Sequence, residues 1–176
     1  EINEFSSIWN TSTKKLILVG ESKPNEIDPK IIEYFAKDDS VVIMTETTSN
    51  LHHPSFLNNI DTIITPFQKE AFLRQYKPKH HWHIDTLRGY DTYDSLTKHF
   101  KINPNQFFNQ FLLKISPVRS DYYATFDKIS AFRELKHQEY LAKIPFSDFK
   151  VFEKIMPSLT ENSMLQLSNS TAIRYT

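Results

Sequence analysis

The stretch from Lys15 to Met44 constrains the fold more than any other part of the chain. Lys15-Leu16-Ile17-Leu18-Val19-Gly20 is a short apolar run closed by glycine, and Val41-Val42-Ile43-Met44 is a second one. Both are continuously apolar rather than alternating, the pattern of strands covered on both faces in a parallel sheet. Between them lies the helix-like Asp28-Pro29-Lys30-Ile31-Ile32-Glu33-Tyr34-Phe35, with Asp28 as a cap and Pro29 at the first helical position. A turn at Asp38-Asp39-Ser40 then leads into the second run. Strand, helix, strand at this spacing is a parallel βαβ unit. The expected class is α/β: an open, mostly parallel Rossmann-like sheet flanked by helices. The only glycines are Gly20 and Gly89, so the chain holds neither a G-x-G-x-x-G dinucleotide fingerprint nor a phosphate-cradling P-loop.

Composition excludes several other classes. Lys plus Arg and Asp plus Glu number 21 each, which argues against nucleic acid or a membrane surface as a partner held by bulk electrostatics. Any charged ligand must be met locally. No cysteine is present, so there is no disulfide framework and no thiolate chemistry. No apolar run approaches the roughly 20 residues of a membrane span. These features are compatible with a cytoplasmic location. A chain of 176 residues suffices for one domain with part of a neighbour. It opens at Glu1 rather than Met and closes in a helix-like segment, which reads as part of a longer protein.

Beyond the βαβ unit, Thr45-Glu46-Thr47-Thr48-Ser49-Asn50-Leu51-His52-His53-Pro54 follows the second strand directly, where α/β sheets usually place ligand loops. A short helix is expected over residues 55–59, then an apolar run at Thr62-Ile63-Ile64. At Glu70 and Ala71 the pattern breaks, because a helix-like segment follows with no room for the strand and turn that should intervene. His81-Trp82-His83-Ile84-Asp85 reads as a strand, and residues 96–102 as another short one. Helices are expected over residues 105–115, opened by Pro104, over 120–144, and over 147–156, capped by Ser147 and ended by Pro157. Met164-Leu165-Gln166-Leu167 reads as a last strand. The expected organisation is an α/β domain over 1–145 and the first elements of another over 146–176.

Two constellations offer chemistry. His81 and His83 share one face of a strand, but no further ligand set accompanies them, so half-buried or surface histidines account for them and no metal site is assigned. At the end of the chain, Asn169 or Ser170 could cap a helix whose free N–H groups, with the Ser170 hydroxyl and Arg174 one turn later, would converge on a carboxylate or phosphate. Spacing alone favours the plainer account, an ordinary capped helix with a solvated Arg. No G-x-S-x-G elbow or other catalytic set is present, so a non-enzymatic α/β ligand-binding or regulatory domain stays open as an alternative.

Three stretches together resemble a known family: Trp9-Asn10-Thr11-Ser12 leading into Lys15-Leu16-Ile17-Leu18-Val19-Gly20; the segment from Thr45 to Pro54; and Gln166-Leu167-Ser168-Asn169-Ser170-Thr171-Ala172-Ile173-Arg174. The family is the thiamine-diphosphate-dependent 2-succinyl-5-enolpyruvyl-6-hydroxy-3-cyclohexene-1-carboxylate synthases of menaquinone biosynthesis. The resemblance implies the central domain of such an enzyme plus the start of its C-terminal, diphosphate-binding domain. It implies 2-oxoglutarate and isochorismate as substrates, thiamine diphosphate with Mg2+ or Mn2+ as cofactor, and a homodimeric or homotetrameric parent. It also implies that Ser170 and Arg174, with Asn169 beside them, bind substrate carboxylate. The family carries a further strand and a glycine-containing basic turn between the positions of Glu70 and Ala71, which this chain lacks. The cofactor-activating acid and the metal motif belong to other parts of the parent, so the resemblance implies that the chain alone is inactive.

Overall fold

The structure is a computed structural model that describes residues 2–58, 60, 63, 75–168, 172 and 175. The chain divides into two compact units, Glu1–Ser130 and Ala131–Thr176. The first is mixed α/β, with helices packed on short parallel strands. Its elements are α1 (Ile2–Thr11), β1 (Lys15–Leu18), α2 (Pro29–Phe35), β2 (Val41–Met44), β3 (Trp82–Ile84), β4 (Lys98–Phe100) and α3 (Pro104–Phe111), followed by the long helix α4 (Tyr122–Lys143), which begins there. The second unit contains the remainder of α4, then α5 (Asp148–Ile155) and a short 3-10 turn, Met156–Ser158.

The βαβ unit forms where its sequence places it, although only β2 is buried on both faces: Leu16 and Leu18 of β1 are exposed. β1 and β2 pair in parallel from Lys15 opposite Val41 to Leu18 opposite Met44. The Asp28 side chain accepts from the Lys30 N–H, and Pro29 occupies the first turn, where its missing N–H costs nothing. Successive side chains of β2 point to opposite faces. Val41 and Ile43 join a core with Ile31, Phe35, Phe107 and Phe111, while Val42 and Met44 join a second core with Leu57, Ile60 and Ile63. Burial on both faces is why this strand is apolar throughout.

β3 and β4 form a second parallel pair, Trp82 opposite Lys98 through Ile84 opposite Phe100. Among the described residues the two pairs are separate in hydrogen bonding, yet they share one core: Ile17 and Val19, Trp82 and Ile84, and Phe100 all pack on the cluster around Phe111. α1 joins them. Ile2, Phe5 and Trp9 recur at helical spacing and face this core, with Trp9 5.6 Å from Phe111 and 6.3 Å from Trp82 between ring centroids.

The structure departs from expectation in four places. Residues 55–58 are not helical; Leu57 instead forms a parallel bridge to Met44 on the other side of β2. The helix expected over 105–115 ends at Phe111, although Ile115 is still buried in the core. The strand expected over 96–102 is confined to Lys98–Phe100. Residues 164–167 form no strand, and Met164 is exposed. An apolar tetrapeptide becomes a strand only where a partner offers its backbone groups bonds.

Candidate functional site

The loops at the carboxyl ends of β1 and β2 are bound to one another. The Ser49 hydroxyl donates to the Val19 carbonyl at 2.7 Å, the Asn50 side-chain amide donates to the Ser22 carbonyl at 2.7 Å, and the Ser22 N–H donates to the Thr48 carbonyl at 3.2 Å. The Ser22 hydroxyl also donates to the Ser49 carbonyl. Glu46 and Ser49 close a capping box around the 3-10 turn Thr47–Ser49, and Asn50 leaves it with φ of 47°, a left-handed conformation that Asn tolerates. Thr45 donates to the Asn58 side-chain oxygen at 2.8 Å, and the His53 imidazole lies 3.5 Å from the Glu33 carboxylate. The polar residues of 45–54 thus largely hold the loop itself. Thr45 and Ser49 are buried, whereas Glu46, Thr47, Thr48, Asn50 and His52 are exposed.

His81 and His83 meet different surroundings, and the His83 Nε2 is buried without a hydrogen-bond partner. The His81 Nδ1 pairs with the Ser95 hydroxyl at 3.0 Å, and burial holds its imidazole below its ordinary pKa against the opposing charge of Asp91. The His83 ring packs 5.2 Å from that of His99 and against Gly89, where an added Cβ would meet the ring at 3.0 Å. Among the described residues no three His, Asp or Glu side chains converge in a way that could hold a metal ion. Thiamine diphosphate with its Mg2+ or Mn2+ needs oxygen ligands for the ion and a set of donors for the phosphates. The described residues offer no such ligand set for the ion.

Asn169, Ser170 and Arg174 lie outside the described residues. Close to them in sequence, Tyr175 packs on Phe149 and Phe152 of α5, with ring centroids 4.9 and 5.8 Å apart. Phe149 also meets the His137 ring at 5.4 Å, and His137 pairs with Glu153 at 2.7 Å. These contacts gather α5 and the remainder of α4 around one aromatic side chain.

A polar cluster that the sequence did not signal lies under β1. The Lys15 ammonium is 3.1 Å from the Asp38 carboxylate and 2.7 Å from the Ser40 hydroxyl, and it sits 5.0 Å from the Trp9 ring centroid. The Lys15 and Asp38 side chains are 3% and 0% exposed. Burial pulls the Lys15 pKa down against its bond to Asp38. Burial alone would raise that of Asp38, but hydrogen bonds from the Ser40 hydroxyl, the Val118 and Ser40 N–H groups and Lys15 hold it below the ordinary carboxylate range. The group is sealed in the core and serves the fold.

No family model matches the chain. Over 98% of its length it is 52% identical to the 2-succinyl-5-enolpyruvyl-6-hydroxy-3-cyclohexene-1-carboxylate synthase of Flavobacterium johnsoniae. The proteins of the same name from Flavobacterium psychrophilum and Christiangramia forsetii are 48% and 35% identical over 99% of the chain. The chain spans 36%, 36% and 35% of these three relatives. The first match runs over 197 aligned positions, whereas 98% of 176 residues is about 172, so about 25 positions of that relative face no residue here. With such identity along nearly its whole length, the chain belongs to the 2-succinyl-5-enolpyruvyl-6-hydroxy-3-cyclohexene-1-carboxylate synthase family, of whose members it represents a little over a third.

Proposed function

We propose that the chain is the central-domain portion of a thiamine-diphosphate-dependent synthase that decarboxylates 2-oxoglutarate and adds the resulting carbanion to isochorismate in menaquinone biosynthesis. The observation that carries this reading is the 52% identity over 98% of the chain to an enzyme named for the product of that addition. In the parent, the cofactor with Mg2+ or Mn2+ supplies the carbanion chemistry and is held by parts outside this chain. This portion contributes scaffold and subunit contacts to a cytoplasmic homodimer or homotetramer. Asn169, Ser170 and Arg174 form its one substrate contact, a carboxylate clamp. Both substrates carry carboxylates, and a guanidinium fork beside a hydroxyl suits them.

The test is made in the full-length parent. The enzyme should consume 2-oxoglutarate and isochorismate together, with thiamine diphosphate and Mg2+ present. Arg174→Ala should raise the KM for 2-oxoglutarate about 10- to 100-fold, the value of one charge-assisted hydrogen-bonded contact. An unchanged KM would remove Arg174 from the clamp. For the isolated chain, calorimetry should detect no thiamine diphosphate binding, and tight binding would overturn the assignment of the cofactor site to other parts.

A further inference from the structure

One face of α2 is only partly used by the fold. Lys30, Glu33, Tyr34 and Lys37 stand at i, i+3, i+4 and i+7, so they follow one side of the helix and the turn that ends it. Together with Pro29 and Pro117 they line an open cleft of about 410 Å3. The tyrosine ring and the two prolines supply its apolar surface.

Both walls of the cleft are fixed by the fold itself. The Tyr34 hydroxyl donates to the Ile115 carbonyl at 2.7 Å. On either side of Pro117, the Ser116 N–H donates to the Asn10 side chain at 3.0 Å and the Val118 N–H donates to Asp38 at 3.1 Å. Preformed walls lose little freedom when a ligand arrives. The charges on the rim are less settled. The Glu33 carboxylate lies 3.5 Å from the His53 imidazole, whereas Lys30 and Lys37 are exposed, and among the described residues neither ammonium meets an acid. Two cations therefore flank Tyr34 along the helix with no anion between them.

Their spacing selects what fits. At 1.5 Å per residue, Lys30 and Lys37 stand about 10 Å apart along the axis. In a polyproline II segment, residues i and i+3 share a side and lie about 9 Å apart; in a strand, the same-side residues i and i+2 lie only about 7 Å apart. Aromatic-lined grooves are the surfaces on which polyproline II segments dock. An open cleft leaves a small molecule largely in water, while an extended segment gains contact along its length.

We infer that the cleft beside α2 is a docking site for a proline-rich segment of a partner protein in the polyproline II conformation. Acidic residues three apart on that segment meet Lys30 and Lys37, and the prolines between them pack on Pro29, Tyr34 and Pro117. The inference rests on the cleft and not on the proposed reaction, so either can fail without the other.

The probe is the fluorescently labelled peptide Pro-Glu-Pro-Pro-Glu-Pro, titrated with the full-length parent and followed by anisotropy. It should bind about tenfold or more tightly than Pro-Pro-Glu-Glu-Pro-Pro, whose acids are adjacent, and than Pro-Glu-Gly-Gly-Glu-Pro, which is not preset in the extended helix. Lys30→Glu combined with Lys37→Glu changes two exposed side chains and should turn the preference to Pro-Lys-Pro-Pro-Lys-Pro by a similar factor. Absence of binding, equal binding of either acidic control, or binding of the first peptide that survives the double reversal would each overturn the site.

Discussion

At the scale of single residues, the Lys15 and Asp38 pair has the largest stake in the fold. Asp38 accepts from Lys15, from the Ser40 hydroxyl and N–H, and from the Val118 N–H, so it anchors the turn before β2 and the segment entering α4. Among the described residues Lys15 has only Asp38 and Ser40 as side-chain hydrogen-bond acceptors. Asp38→Ala should therefore cost about 3–5 kcal/mol, because it strands a buried ammonium and several donors, while Lys15→Met should cost roughly half as much. Urea denaturation of both variants measures the order, and equal costs would contradict the asymmetry. The folded-state pKa of Asp38 lies below its unfolded value of about 3.9, so its contribution is complete above that pH and is lost as pH falls through the depressed value. The acid limb of stability against pH should flatten in Asp38→Asn. None of this was legible in the sequence, where Lys15 merely opens an apolar run and only the tertiary fold brings Val118 to Asp38.

At the scale of elements, what was legible was what local chemistry decides. Asp28 caps the helix that Pro29 opens and Pro104 opens another, both where the sequence places them. What was not legible depended on distant partners. Leu57 is a bridge because Met44 offers it a neighbour, and residues 164–167 form no strand among the described residues for want of one. The candidate clamp was legible only through family resemblance, since S-x-x-x-R spacing does not specify what a guanidinium meets. Caps that look alike in sequence also differ in structure. The Asn103 side chain accepts from the Asn105 and Gln106 N–H groups at 2.9 and 3.4 Å, whereas Ser147 makes no side-chain cap bond. Asn103→Ala should thus lower stability by about 1 kcal/mol, and Ser147→Ala should change it by less than about 0.5. Urea midpoints of the two variants test this, and comparable losses would contradict the cap geometry.

At the scale of the molecule, the two units differ in what they bury. Glu1–Ser130 contains every fully buried side chain among the described residues, including Phe111, Val42 and Met44 of the two clusters that cover β2 from either face. Ala131–Thr176 has none, and its described contacts are half-exposed pairs such as His137 with Glu153 and Phe149 with Tyr175. A segment of that length with no sealed core among its described residues gains too little from their burial to offset the conformational entropy of ordering, roughly 1–2 kcal/mol per residue for the backbone. Local opening there should be frequent, because opening exposes little apolar surface that is not exposed already. In limited trypsin digestion of the 176-residue chain, the first cuts should fall at Arg133, Lys136 or Lys143, leaving a resistant product that contains the sheet and α3. Mass spectrometry of early time points decides the order. First cleavage at Lys14 or Lys37, which flank the core strands, would place the weaker unit at the other end of the chain.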